Sequence, residues 1–186
     1  MARVFIDTNV LFPFSVMDLM LALTEDGIHD VLWTDDLLDE WERVIVRRGR
    51  RSPDAAAAIT ATIREFFADT QIPAETYRGL IAEAVGPDPD DSVHMAAAVA
   101  GQAETLVTWD AADFDCDFMK NHGVTAVNPD VYLCSLYAEF PAEVLGTLTR
   151  LAAGKRRPPM TPSDVIDALE AAGAAEFASR IRPRLT

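Results

Sequence analysis

The 186-residue sequence has few of the residues that build disulfide-rich or zinc-binding domains, with only two cysteines and three histidines. Cys116 and Cys134 do not form a CxxC pattern, and the histidines do not form a paired-ligand motif. We therefore expect both cysteines to be reduced thiols without a catalytic role. A zinc site is not indicated, since such sites are built from closely spaced Cys and His ligands.

Long apolar runs are also missing. No segment has the charged, apolar and cleavage regions of a signal peptide, and none is long enough to span a bilayer. We therefore expect a cytoplasmic protein without a membrane association. The hydrophobic content of 49% is nevertheless sufficient for a substantial core, and the length fits one domain of ordinary size with an appendage.

Positive charge is scarce, with 16 Lys and Arg against 30 Asp and Glu and a net charge of -14. This balance excludes a protein whose whole surface binds nucleic acid through basic residues. A local exception is the segment 43–51, which contains five arginines: Arg43, Arg47, Arg48, Arg50 and Arg51. These side chains could bind phosphates or an acidic partner, or they could be a solvated helix end stabilised by cations.

Short apolar runs alternate with amphipathic segments through the first two thirds of the chain. The runs at residues 3–6, 29–33, 105–108 and 124–127 predict strands. Helical spacing predicts helices between them, at residues 15–26, 37–45, 52–67, 73–85 and 91–100. The connections are too long for hairpins, so a mostly parallel α/β sheet is expected. After residue 129 the pattern indicates only helices.

Carboxylates follow the predicted strands or begin the predicted helices. Asp7 follows the first strand, Asp110 follows the third, Asp90 and Asp91 begin an alanine-rich helix, and Glu40 lies on an earlier helix. In a parallel sheet these positions lie on one edge, so the side chains could converge. Several carboxylates in one cleft repel each other unless a cation lies between them. Ligands that are all oxygen favour Mg²⁺, with Mn²⁺ as the alternative.

These motifs together resemble one known family. Residues 6–11 (IDTNVL), Glu40, residues 88–98 (DPDDSVHMAAA) and residues 106–114 (LVTWDAADF) are similar in order and context to PIN-domain ribonucleases. The VapC-like toxins of bacterial toxin–antitoxin systems are the most similar subgroup. The resemblance implies a three-layer α/β/α sandwich with a central, mostly parallel sheet. We place the PIN-like domain at residues 1–140 and a helical C-terminal extension at residues 141–186.

The resemblance also implies an acidic site. Its catalytic and metal-binding quartet would be Asp7, Glu40, Asp91 and Asp110, with Asp113 as a possible fifth metal ligand. Thr8, Asn9 and Thr108 would orient these carboxylates. Asp90 competes with Asp91 for its assignment, and Glu42 competes with Glu40. His29, His94 and Trp109 are assigned to packing.

The implied function is a Mg²⁺-dependent endoribonuclease in which a metal-activated water hydrolyses RNA phosphodiester bonds. Its expected partners are the RNA substrate and a cognate protein antitoxin, and we also expect a homodimer. The alternatives are a non-catalytic interaction module on the same fold, an RNA-processing enzyme and a structure-specific DNA nuclease. A phosphatase of another α/β fold is disfavoured, because residues 7–9 (DTN) lack the second aspartate that such enzymes use.

Overall fold

Four short parallel strands form the centre of the protein in the computed structural model, which describes residues 1–185. Their order across the sheet is β2-β1-β3-β4. The strands are β1 (Ala2–Ile6), β2 (His29–Leu32), β3 (Thr105–Val107) and β4 (Thr125–Val127). All four lie where the apolar runs predict them.

The first strand lies inside the sheet and pairs with β2 on one side and β3 on the other. Val4, Phe5 and Ile6 are fully buried, which is why this run has no alternating polar positions. Because the sheet is parallel, β1 and β3 end at the same edge, where Ile6 pairs with Val107. The residues that follow these two strands are therefore neighbours.

Helices complete the fold. They are α1 (Phe14–Glu25), α2 (Asp35–Arg47), α3 (Pro53–Phe66), α4 (Ala74–Tyr77), α5 (Ser92–Ala100), α6 (Asp117–Asn121), α7 (Pro129–Glu139), α8 (Pro141–Gly154), α9 (Pro162–Ala171) and α10 (Ala175–Ile181). Several begin at a threonine cap: Thr34 accepts from Leu37 N, and Thr161 forms a capping box with Asp164. The parallel sheet with its covering helices confirms the predicted α/β/α fold class.

The long helix predicted for residues 73–85 is wrong. Only Ala74–Tyr77 is α-helical, and a 3₁₀ turn follows at Arg78–Leu80. The glycine at position 79 weakens a helix at this point. Tyr77 is buried, and its hydroxyl donates to Asp36 Oδ2 at 2.6 Å, so a tertiary contact fixes this turn.

The C-terminal helices dock on the first helix of the sheet domain. Arg150 on α8 pairs with Glu25 at 2.9 Å, and Thr147 donates to Asp26 at 2.5 Å. A buried contact links β2 to α7, where Tyr132 lies 2.8 Å from His29 Nδ1. The tail therefore packs on the core. The boundary after residue 140 stays a prediction.

Both cysteines are free thiols, with Cys134 buried and Cys116 partly buried. Among residues 1–185, no helix is long and apolar enough to cross a membrane.

Candidate active site

A cleft of about 390 Å³ lies at the carboxyl edge of β1 and β3. All five predicted site residues line it: Asp7, Glu40, Asp91, Asp110 and Asp113. The fold thus brings together side chains that are up to about a hundred residues apart in the sequence, because parallel strands end at one edge. Asp88 and Asp90 also line the cleft, which makes it strongly acidic.

Asp7 is the most constrained carboxylate of the cleft. It is 6% exposed and directly follows β1. Its Oδ1 accepts from Thr8 N at 2.7 Å and from His94 Nδ1 at 2.9 Å, and its Oδ2 accepts from Thr108 Oγ1 at 2.8 Å. These donors fix the orientation of the carboxylate, and Oδ2, which accepts only one of them, has capacity for a second partner.

His94 connects Asp7 to Glu40. Its Nε2 lies 3.2 Å from Glu40 Oε2, which also accepts from Thr8 Oγ1 at 3.0 Å. Burial disfavours a charged imidazole, but the hydrogen bonds and negative charges of Asp7 and Glu40 outweigh it and raise the pKa of His94 to about 9. The same contact with His94 lowers the pKa of Glu40. The three side chains form one ionic group that is buried at Asp7 and His94 and partly exposed at Glu40.

Asn9 and Thr108 hold the exposed end of the site. Asn9 Nδ2 donates to Asp110 Oδ2 at 3.1 Å and to Thr108 Oγ1 at 3.0 Å. Asn9 Oδ1 accepts from the backbone N of Trp109 at 3.2 Å. Asn9, two residues after Asp7, therefore positions Asp110, the carboxylate that follows β3.

Asp91 lies in an electrostatically unfavourable place. Burial and the negative charge of Asp7 raise its pKa to about 6, with further contributions from Asp88 and Asp113. The charge of His94 only partly offsets them. A carboxylate whose pKa is raised by its like-charged neighbours indicates that the cleft has an excess of negative charge.

The structure shows where the residues of each competing pair lie. Glu42 Oε2 accepts from Thr60 Oγ1 on α3 at 2.9 Å and does not line the cleft, whereas Glu40 does. Asp90 and Asp91 both line it, but Asp91 is the more buried of the two. Trp109, assigned to the core, is partly buried, and the turn at Gly173 packs against its ring.

His94 is the residue whose place the sequence did not indicate. On sequence alone it is assigned to packing, and it is indeed buried, but it contacts two of the predicted site carboxylates. The one signal was its spacing, since His94 lies one helical turn after Asp91 on α5. That spacing alone does not distinguish a packed histidine from one in a site.

A larger groove of about 890 Å³ lies between α1, α3 and the C-terminal helices. Apolar side chains form most of its lining. Its two acidic residues, Asp18 and Glu25, are each paired with a cation, Lys155 and Arg150 respectively. Titratable groups with shifted pKa values are instead concentrated in the smaller cleft, so we place the candidate active site there.

Comparison with known families identifies the family of the chain. The model of the PIN domain family matches residues 3–112, which is more than half of the chain. The chain belongs to the PIN-domain family. A second model, the VapC50 C-terminal domain, matches residues 129–183. Together the matches support a VapC-like PIN-domain toxin, as the sequence resemblance predicted. No curated protein and no solved structure matches the chain.

PIN domains generally bind a divalent metal ion, and the donor chemistry of this PIN domain fits one. The five site residues offer only carboxylate oxygens, which suit a hard cation. Within residues 1–185, however, no three Asp, Glu, His or Cys side chains converge closely enough to form a ready metal-binding group. Of the five site residues, Asp110 is exposed and the others are buried or partly buried.

Proposed function

We propose that this PIN domain is a Mg²⁺-dependent endoribonuclease that acts as the toxin of a toxin–antitoxin pair. Its membership of the PIN family and the match to a VapC C-terminal domain support the coarser statement, a nuclease or toxin of such a system. The observation that carries the finer proposal is that five carboxylates line one cleft, where burial and the charge of Asp7 raise the pKa of Asp91.

The proposed ligands of the metal ion are Asp7, Glu40, Asp91 and Asp110, with Asp113 as a possible fifth. A bound Mg²⁺ would supply a water of lowered pKa for hydrolysis and would neutralise charge that develops on the phosphate. His94 keeps Asp7 and Glu40 in place through its two ring nitrogens. Thr108 orients Asp7 Oδ2, and Asn9 orients Asp110. Such supporting hydrogen bonds fix ligand geometry at metal sites.

The substitution Asp7→Asn tests this site. An amide in place of the carboxylate removes the negative charge that a cation needs and turns an N–H toward His94 or Thr108. We expect loss of Mg²⁺-dependent cleavage of single-stranded and structured RNA and relief of growth arrest on expression. Circular dichroism must show that the variant is folded. Full cleavage by a folded Asp7→Asn protein would refute the site assignment.

The substrate class needs a parallel assay. RNA and flapped DNA of matched sequence, each with Mg²⁺, Mn²⁺ or EDTA, distinguish an endoribonuclease from a structure-specific DNA nuclease. Cleavage of DNA alone would contradict the proposal. Absence of any cleavage, with Mg²⁺ binding also absent by calorimetry, would favour a non-catalytic interaction module.

The proposed partners are the RNA substrate, a protein antitoxin and a second copy of the chain in a homodimer. An enzyme of this kind would act in the cytoplasm, where its substrate is present. A small reading frame directly upstream whose product binds this protein and stops cleavage would support the toxin role.

We also propose a PIN-like domain at residues 1–140 and an extension at residues 141–186, of which residue 186 lies outside the described part of the chain.

A further inference from the structure

Within residues 1–185, four arginines of the basic segment form no ion pair with a carboxylate: Arg47, Arg48, Arg50 and Arg51. Among residues 1–185, seven Lys and Arg side chains form ion pairs with Asp or Glu, including Arg64, Arg150 and Lys155. None of those pairs involves the arginines at positions 47, 48, 50 and 51. The chain has 30 Asp and Glu for 16 Lys and Arg, so partners are abundant. Unpaired cations in such an acidic protein suggest that their partner is an external anion.

Two of these arginines belong to the active-site cleft. Arg47 and Arg48, at the C-terminal end of α2, line it together with Phe12 and the carboxylates. The guanidinium of Arg48 lies over the ring of Phe12, 4.7 Å from its centroid. This cation–π contact restricts the guanidinium, which lowers the entropy lost when it binds a ligand.

The same arrangement is repeated next to the cleft. Arg51 lies over the ring of Phe14, 4.0 Å from its centroid. Phe12 and Phe14 are two residues apart in the chain and are both partly buried. The two stacked pairs, which we call the row, line different concavities: Phe12 and Arg48 line the cleft, whereas Phe14 and Arg51 line the larger groove.

Stabilisation of the helix end does not explain this row. A cation in the last turn of a helix stabilises it by about 0.3–1 kcal/mol, and Arg47 satisfies that role. Arg51 lies beyond the helix, after Gly49, so the dipole of α2 gives no reason for its position. The dipole also does not require either guanidinium to lie on a phenylalanine ring.

The charge of the cleft provides the functional reason. A protein of net charge -14 with carboxylates throughout its cleft repels a polyanion. An RNA strand can approach only where local cations neutralise its phosphates. Arginine suits this task, because its planar fork donates two hydrogen bonds to one phosphate. An aromatic face can stack a base.

We propose that Arg47 and Arg48, the latter held on the ring of Phe12, bind the phosphodiester backbone of single-stranded RNA at the mouth of the cleft, and that Arg51 on Phe14 extends this site along the strand. The inference rests on the proposed ribonuclease function and adds how the substrate is held. These residues bind and position the strand, whereas the carboxylates perform the reaction.

Binding without cleavage tests the proposal directly. Fluorescence anisotropy of a labelled single-stranded RNA, measured in EDTA at several salt concentrations, gives the dissociation constant without turnover. For Arg48→Ala we expect about tenfold weaker binding, since a charge-assisted hydrogen bond to phosphate is lost. The salt dependence, as the slope of log K against log salt, should fall by about 0.7 for each lost phosphate contact. Arg47→Ala should have a similar effect.

Arg50→Ala is the matched control. It removes the same charge from the same exposed segment, but Arg50 does not line the cleft and does not stack on an aromatic ring. We expect less than a twofold change in its dissociation constant. Arg51→Ala should weaken the binding of a long oligonucleotide and leave a very short one unchanged.

Steady-state cleavage separates positioning from catalysis. In Mg²⁺, Arg48→Ala should raise KM and leave kcat nearly unchanged, whereas Asp7→Asn should abolish kcat.

Equal weakening of RNA binding by Arg48→Ala and Arg50→Ala would overturn the proposal in favour of a general charge effect. Unchanged RNA binding by Arg48→Ala, or loss of binding to a protein antitoxin alone, would also overturn it. Because the binding assay needs no metal, its failure is distinguishable from failure of the ribonuclease assignment.

Discussion

Carboxylates occur in two contrasting environments in this protein. At the junction of α1 with the C-terminal helices, Asp26 accepts from Thr147 and Arg150; burial opposes ionisation there, but these hydrogen bonds and the charge of Arg150 lower its pKa. In the cleft, burial and the charge of Asp7 raise the pKa of Asp91 to about 6. The same residue type is shifted in opposite directions by its neighbours.

The difference separates a structural carboxylate from a functional one. Next to Arg150, the charge of Asp26 is compensated within the fold, and the contact joins the extension to α1. Around Asp91 the charge of His94 compensates the negative charge only in part. Groups left uncompensated in a cleft are candidates for binding a ligand of opposite charge.

The largest expected effect comes from Asp110→Asn. Asp110 is exposed and accepts side-chain hydrogen bonds only from Asn9, so the fold should lose little when its charge is removed. Cleavage should fall by about 100-fold or more, because electrostatic stabilisation by a bound metal is worth several kcal/mol. Initial rates of RNA cleavage at saturating Mg²⁺ measure this loss, and urea unfolding measures stability.

Asp26→Asn is the matched control for Asp110→Asn. It should lower the free energy of unfolding by about 1–2 kcal/mol, because hydrogen bonds to a charged group are weakened. Cleavage well below the melting temperature should stay near the wild-type rate. If Asp26→Asn lost as much activity as Asp110→Asn, the two environments would not differ in function.

His94→Ala should affect both stability and activity. It removes the cation between Asp7 and Glu40 and leaves two carboxylates facing an empty space, which should cost about 3 kcal/mol of unfolding free energy. Cleavage should also decrease, because Asp7 loses one of its three donors. Urea unfolding and cleavage rates at low temperature test the two parts separately. An unchanged unfolding midpoint would show that His94 does not hold these carboxylates together.

The buried His29 provides the smallest but most specific test. Burial lowers the pKa of His29, although its bond to Met20 O and the charge of Asp30 oppose this. Its folded pKa therefore lies below the unfolded value of about 6.5. The unfolded state binds the proton more readily, so the stability due to neutral His29 is present above about pH 6.5 and is lost as the pH falls below it.

His29→Gln isolates this contribution. It removes the titration but keeps groups that can hydrogen-bond Tyr132 and Met20. Between pH 7 and pH 5, the wild type should lose more unfolding free energy than the variant. Chemical unfolding at each pH gives the difference, from which contributions common to both proteins, including those of His94 and Asp91, cancel. Parallel pH profiles would contradict a neutral, buried His29.

The sequence by itself determined the order of strands and helices and the chemistry of the site. Short apolar runs such as residues 3–6 predict buried strands, and caps such as Thr34 and Thr161 indicate where helices begin, because these signals are local. The position of Asp7 directly after β1 follows from the same local pattern. The unusual run of arginines at residues 47–51 is likewise visible without a structure.

The tertiary structure alone decided which side chains meet. It placed His94 between Asp7 and Glu40, directed Glu42 to Thr60, shortened the helix after Pro73 and packed the C-terminal helices on α1. It also stacked Arg48 and Arg51 on two phenylalanine rings beside the cleft. These contacts join residues far apart in the chain, and their energies depend on burial and neighbouring charge, which no local pattern encodes.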